Sequence, residues 1–318
     1  MIEYLSLIIG LALLYKGADW LVEGASALAK RLGISALVIG LTIVAFGTSM
    51  PELIVNIFAS IQGKADVSFG NIIGSNIFNI LFILGIAGLL TPLTVQKSTV
   101  RKEIPLGMVA VIVLFIMSNK ALFNSNFQNT LTKTDGIILL LFFALFLLYI
   151  FNLLKHSAKN ETLDIKKYSS LKLFFLITGG LIALFIGGKF TVDGAVSIAR
   201  QLGVSELLIS ATIIAGGTSL PELVTSIVAA IRKEMDISVG NIVGSNIFNI
   251  FFIMGISVVI APLPAPLGIN MDFLVLGITT LLLYLFMYSG KRHTLDRWEA
   301  AIFLLLYAAY TTLVIYRG

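Results

Sequence analysis

The 318-residue chain has no cysteine, only two histidines and two tryptophans, and little charge: Asp, Glu, Lys and Arg together make up 12% of it, about half the share of a soluble domain. Without cysteine there is no disulfide framework, thiolate metal site or thiol nucleophile. So few charges cannot solvate a globule of this size, which excludes an ordinary cytosolic fold, and the same composition excludes disorder. The 22 Lys and Arg exceed the 17 Asp and Glu, giving a net charge of +5. These bases fall in short gaps between apolar runs, so membrane topology accounts for them and nucleic acid is not an expected partner.

What is present is apolar sequence, 58% of the chain, with a mean hydropathy of +0.99. At roughly 30 residues per spanning helix and its connection, the length holds on the order of ten spans. They are expected at 3–31, 35–61, 68–91, 103–118, 135–154, 172–201, 205–231, 238–261, 271–289 and 297–316. The apolar run to Leu14 followed by Ala25-Ser26-Ala27 imitates a secretory leader. Glu3, the lack of an early basic residue and the recurrence of this segment later in the chain argue that it is retained.

That recurrence is the strongest feature of the sequence. A shift of 170 aligns Ala18–Ile86 with Gly188–Ile256 without a gap. GTSMPEL at Gly47–Leu53 returns as GTSLPEL at Gly217–Leu223, and GNIIGSNIFNI at Gly70–Ile80 returns as GNIVGSNIFNI at Gly240–Ile250, identical at ten of eleven positions. Five spans fall in each half, an odd number, so the second half should enter the membrane from the opposite side. The expected fold is an all-α membrane protein of ten transmembrane helices arranged as two inverted five-helix repeats, 1–154 and 172–318, joined by a linker at 155–171. With the N-terminus outside, fifteen Lys and Arg fall in interior loops and five in exterior ones. Both termini are therefore expected to be extracellular and the linker cytoplasmic, in a multi-pass protein of the cell membrane.

Glu52 and Glu222 lie in the middle of apolar spans, where a carboxylate costs at least about 2.5–3.5 kcal/mol and persists only with partners or beside water. On an α-helix Ala45, Thr48, Ser49 and Glu52 form one stripe, repeated by Ala215, Thr218, Ser219 and Glu222. Pro51 and Pro221 lack the N–H that would bond the carbonyls of Gly47 and Gly217, so each helix should kink there and free a carbonyl. In the other motif Ser75 and Asn79 share a face, as do Ser245 and Asn249, with Asn76 and Asn246 turned away; Gly70, Gly74 and Ser75 also suit close helix packing. Carboxylates, hydroxyls, amides and freed carbonyls make an all-oxygen site suited to a hard cation. Two negative charges match one Ca²⁺, and the same oxygens could hold Na⁺.

These motifs resemble those of the calcium/cation antiporter superfamily, in its sodium/calcium exchanger branch, whose two repeats carry G-T-S-x-P-E and G-S-N-x-x-N/D. The resemblance covers essentially the whole chain. It implies a core of the second, third, seventh and eighth helices that binds ions, with the first and sixth sliding across it. Transferred by motif position, the ion ligands would be Ala45, Thr48, Ser49, Glu52, Ser75, Asn79, Ala215, Thr218, Ser219, Glu222, Ser245 and Asn249. The implied activity is exchange of Ca²⁺ for Na⁺ by alternating access, with no cofactor beyond the transported ions. The proton-coupled branch, the alternative within this fold, carries G-N-A-x-E instead of Gly47-Thr48-Ser49-Met50-Pro51-Glu52. Asn249, where potassium-dependent relatives have Asp, speaks against potassium cotransport.

Other residues say less. Lys16, Asp19 and Glu23, with Lys189 and Asp193, suit ion pairs or interface anchors, His156 and His293 fall in loops, and Phe78 and Phe248 suit packing. A membrane enzyme is disfavoured because no span carries a histidine to activate Ser49 or Ser219. A channel is disfavoured because this chain completes a paired site by itself, whereas channels usually assemble pores from several subunits. The sequence does not give the oligomeric state.

Overall fold

The computed structural model describes residues 2–126, 128–157, 168–204, 209, 213 and 215–317. Most of the 155–171 linker, with Lys159, Lys166 and Lys167, lies outside the described residues. Among the described residues eleven helices carry the fold. In the first half they are α1 (Ile2–Leu32), α2 (Ala36–Thr48), α3 (Met50–Ile61), α4 (Ala65–Leu90), α5 (Ile104–Ser118) and α6 (Lys133–Ser157). The second half supplies α7 (Ser170–Gln201), α8 (Leu220–Ile231), α9 (Met235–Ile260), α10 (Ile269–Phe286) and α11 (Arg297–Arg317). Seven described helices are long and apolar enough to cross a membrane, and the α2–α3 pair passes as an eighth when counted as one bent span.

The local punctuation follows the sequence. Gly33 takes φ +63°, a left-handed conformation that ends α1 without strain, and Ser35 accepts a hydrogen bond from the Leu37 N–H to start α2. The span 35–61 is broken where its proline predicts a kink: it is two helices bent by 47°, parted at Ser49, whose ψ of 8° leaves the helical path. Pro51 sits one position inside α3, where its missing N–H is harmless; continuing α2 through it would lose a bond and crowd the preceding turn. Pro221 starts α8 in the same way after Ser219. Short π-helical turns at Gly40–Val44, Phe78–Leu84 and Phe248–Ile253 interrupt α2, α4 and α9.

Two layers can be distinguished by their packing. Helices α4 and α9 form the centre: 78% and 83% of their apolar windows are buried, against 17–33% for the other long helices. Helices α1 and α7 form an antiparallel pair to one side. A Cβ on Gly17 would lie 2.8 Å from the Gly180 carbonyl and one on Gly180 would lie 2.8 Å from the Gly17 carbonyl, so the two backbones touch. Close packing of small residues replaces the hydrophobic drive that lipid cannot supply.

The halves meet reciprocally. Strand β1 (Leu93–Thr94) pairs with β4 (Thr294–Leu295), while β2 (Thr130–Leu131) pairs with β3 (Leu263–Pro264). Each half thus contributes two two-residue strands, each paired with a strand of the other half, an exchange characteristic of a two-fold relation.

Candidate functional site

The sharpest geometry lies where the two helix breaks face α4 and α9. Glu52 and Glu222 are each 1% exposed. Among the described residues neither carboxylate has a basic partner; each is held by a serine from the opposite half. Ser49 donates to Glu222 Oε1 at 2.9 Å and Ser219 donates to Glu52 Oε1 at 2.8 Å. Ser75 and Ser245 approach the same two oxygens at 3.5 Å, the outer limit of hydrogen bonding, and Ser219 also lies 3.2 Å from Ser75. Six of the expected residues, Ser49, Glu52, Ser75, Ser219, Glu222 and Ser245, therefore form one reciprocal cluster.

The remaining expected residues surround it. Ser245 reaches the Ala45 carbonyl at 3.5 Å, and Ala215 begins the short turn Ala215–Gly217 ahead of the second break. Thr48 Oγ1 bonds the Val44 carbonyl and Asn241 Oδ1, both at 3.0 Å, and Thr218 Oγ1 bonds Asn71 Oδ1 at 3.4 Å. The break at Ser49 turns these oxygens to the opposite half: Ser49 donates to Glu222, Thr48 bonds Asn241 and also reaches the Glu222 carboxylate, and Thr218 likewise reaches Glu52. Asn79 and Asn249 donate to Asn246 Oδ1 and Asn76 Oδ1, each at 2.9 Å.

Two asparagine sets were not among the expected ligands. Asn71 donates to the Glu52 carbonyl at 3.2 Å and to Asn56 Oδ1 at 2.6 Å; Asn241 repeats this with the Glu222 carbonyl at 3.5 Å and Ser226 at 3.0 Å. Asn76 and Asn246 bond each other's carbonyls at 3.2 and 3.3 Å and join α4 to α9. Their identity across the two copies of the eleven-residue motif was the available signal, because residues lining only a generic helix contact need not be duplicated.

Four buried oxygens in this region accept no hydrogen bond from the described residues: Glu52 Oε2, Glu222 Oε2, Asn79 Oδ1 and Asn249 Oδ1. They form two equivalent pairs and all are acceptors. Buried acceptors are ordinarily satisfied, and an uncompensated one costs on the order of 1–3 kcal/mol or more if charged. A hard cation is the kind of species that satisfies several oxygen acceptors together. Among the described residues no group of three or more His, Cys, Asp or Glu gathers elsewhere as a metal site.

The two sides of the cluster differ. On the α9 side, a Cβ on Gly244 would meet Ala45 Cβ at 2.8 Å and Leu41 Cα at 2.9 Å, so α2 is packed tightly onto the motif. Small-residue packing thus holds for the second copy; at the first, the counterparts of Leu37 and Leu41 lie outside the described residues. A cavity of about 460 Å³ borders Gly70, Asn71, Gly74 and Thr218. Helix α7 crosses both breaks, with Leu181 against Gly47 and Val192 against Gly217. Asp19 and Glu23 of α1 pair with Arg232, more than 200 residues away, rather than locally, and Glu23 also accepts from Tyr168 at 2.7 Å. Phe78 and Phe248 pack among aromatic rings as expected.

Residues 2–152 and 172–316 match the family described as sodium/calcium exchanger protein. The chain belongs to the sodium/calcium exchanger family. It is 31% identical to the sodium/calcium exchanger MaX1 of Methanosarcina acetivorans, with 99% of each chain covered. It is 37% identical to the inner membrane protein YrbG of Escherichia coli over 87% of this chain and 86% of that one. A structure of the sodium-calcium exchanger NCX_Mj soaked with 10 mM Na⁺ and no Ca²⁺ superposes with a TM-score of 0.83 at 34% identity, covering 98% of both chains. The family and fold are those of multi-pass membrane transporters of the cation/Ca²⁺ antiporter type.

Proposed function

We propose that the chain exchanges Ca²⁺ for Na⁺ across the cell membrane by alternating access, with Glu52 and Glu222 sharing the transported ion. The observation that carries this is the crossed pair of serine–carboxylate bonds, Ser49 to Glu222 and Ser219 to Glu52, beside four acceptor oxygens without donors. The ligands are Thr48, Ser49, Glu52, Ser75 and Asn79 with the Ala45 carbonyl, and Thr218, Ser219, Glu222, Ser245 and Asn249 with the Ala215 carbonyl. Ca²⁺ accepts 6–8 oxygens at about 2.3–2.6 Å and tolerates irregular geometry, which suits a cluster of short side chains. Na⁺ coupling is favoured by Gly-Thr-Ser-x-Pro-Glu in both repeats and by the exchangers that the chain resembles.

The exchange cycle uses the two-fold arrangement. Ten spanning segments in two inverted halves, 1–154 and 172–318, would place the same cluster near the midplane with a path to each face. Reciprocal straps and reciprocal carboxylate bonds support the inversion, and the cavity beside Gly74 and Thr218 supports access to the cluster from that side. Two unbalanced carboxylates in a low-dielectric interior oppose rearrangement of the unloaded protein, so exchange is favoured over leak. Basic residues place both termini outside and the linker 155–171 inside.

The test is ⁴⁵Ca²⁺ uptake into proteoliposomes loaded with Na⁺, with acid, or with neither. Uptake that requires internal Na⁺ and is lost in Glu52→Gln and Glu222→Gln is the expected result. Uptake driven by a proton gradient alone would transfer the chain to proton coupling. A passive current without counter-ion would mark a channel.

A further inference from the structure

On the exchange function proposed above, we propose that Asp272 is a cation-capturing carboxylate at the mouth of the path to Glu52, and that Arg317 keeps it neutralised between ions. The cavity beside the first motif is lined by Asn71, Gly74 and Thr218 and also by Asp272, Tyr310 and Arg317. Asn71 bonds the Glu52 carbonyl at 3.2 Å and accepts from Thr218 at 3.4 Å, so this lining is one hydrogen bond from the buried acid's own residue. Arg317, at the end of α11, is the part of the charged group that reaches water.

Asp272, Tyr310 and Arg317 make a compact group that carries the charges of the described lining. Arg317 lies 2.7 Å from Asp272 Oδ1, and Tyr310 donates to the same oxygen at 3.1 Å. Asp272 is largely enclosed, with 13% of its side chain exposed, whereas Arg317 is 37% exposed. The guanidinium can therefore swing toward water more readily than the carboxylate can, leaving an acid beside the passage. A charge between low-dielectric walls focuses its field along the opening and raises the local concentration of the counter-ion.

The repeat marks this device as one-sided. Glu52, Asn71, Ser75 and Asn79 each have an equivalent 170 residues later, but the position 170 residues before Asp272 is Lys102. The register is sound in this region because Gly107 and Gly277 still coincide and strand β1 still matches β3. An acid that served the buried cluster itself would be expected twice; an acid that serves one opening is needed once.

The experiment measures ⁴⁵Ca²⁺/Ca²⁺ exchange, which needs no Na⁺, in right-side-out and inverted membrane vesicles. Asp272→Asn should raise KM about tenfold from the cavity's face at low ionic strength, and Arg317→Gln should lower it about threefold, with kcat unchanged. Both effects should collapse in roughly 0.5 M choline chloride, where charges are screened within a few ångströms. The doubly substituted chain should fall between them. Equal KM values from both faces, or a change in kcat without salt dependence, would show a merely structural role and overturn the capture assignment. Absence of exchange in the parent chain would instead overturn the proposed cargo, and this inference with it.

Discussion

The two copies of Gly-Asn-Ile-x-Gly-Ser-Asn differ by one methyl-bearing side chain yet sit in different surroundings. In α9, Gly240 and Gly244 are pressed by Leu37, Leu41 and Ala45 of α2. In α4, Gly70 and Gly74 border the cavity. The counterparts of Leu37 and Leu41, at 207 and 211, lie outside the described residues, so the contrast is between a motif that receives α2 and one that lines a cavity. A motif that tolerates both environments is what a protein needs if each side is to seal in turn. The paired glycines are the economical way to permit this, since any side chain would fix one side open.

The comparison is broken most severely at the carboxylates. If the halves contribute equally, Glu52→Gln and Glu222→Gln should each reduce Ca²⁺ exchange by at least about 100-fold, measured as initial ⁴⁵Ca²⁺ uptake. A large loss in one and near-normal flux in the other would end the equivalence. Next in size is the crossing of α1 and α7: Gly17→Ala and Gly180→Ala push a methyl against backbone and should each cost about 1–3 kcal/mol, read as a lowered Tm of the detergent-solubilised protein.

The glycines of the two motifs sharpen the contrast itself. Gly244→Ala should lower Tm because its methyl meets Ala45 and Leu41, whereas Gly74→Ala should leave Tm nearly unchanged and slow exchange instead, by opposing closure on that side. Equal Tm losses would mean that the two sides are packed alike. The smallest effect is expected at the Asp19–Arg232 ion pair, where both side chains reach water: Asp19→Asn should shift stability by less than about 1 kcal/mol, and less again in high salt.

Much of this was legible before any coordinates. Apolar runs and the glycines that end them fixed the helices, and Pro51 and Pro221 marked the breaks because an absent N–H cannot be replaced by context. Glu52 and Glu222 stood out because charge in an apolar span has a cost that only a partner or a ligand offsets. Crossed pairing was less visible: that Ser49 serves Glu222 and Ser219 serves Glu52 depends on two segments 170 residues apart meeting at the same place. Thr48 and Thr218 do lie with the carboxylates, but crosswise, Thr48 beside Glu222 and Thr218 beside Glu52, a pairing that helical periodicity within one segment does not reveal. Asn71, Asn76 and their equivalents went unassigned because an asparagine on a helix has no preferred partner until a neighbouring helix is in position. The short straps β1–β4 and β2–β3 carry almost no sequence signal, being two residues long and paired between halves.

The central claim is that Glu52 and Glu222 hold one and the same ion. Equilibrium ⁴⁵Ca²⁺ binding to the purified protein, with Glu52→Gln, Glu222→Gln and both together, tests it directly. A shared ion predicts that either substitution weakens all Ca²⁺ binding and that the second adds little. Independent sites would appear as half the bound Ca²⁺ lost in each single variant, with the affinity of the remainder unchanged.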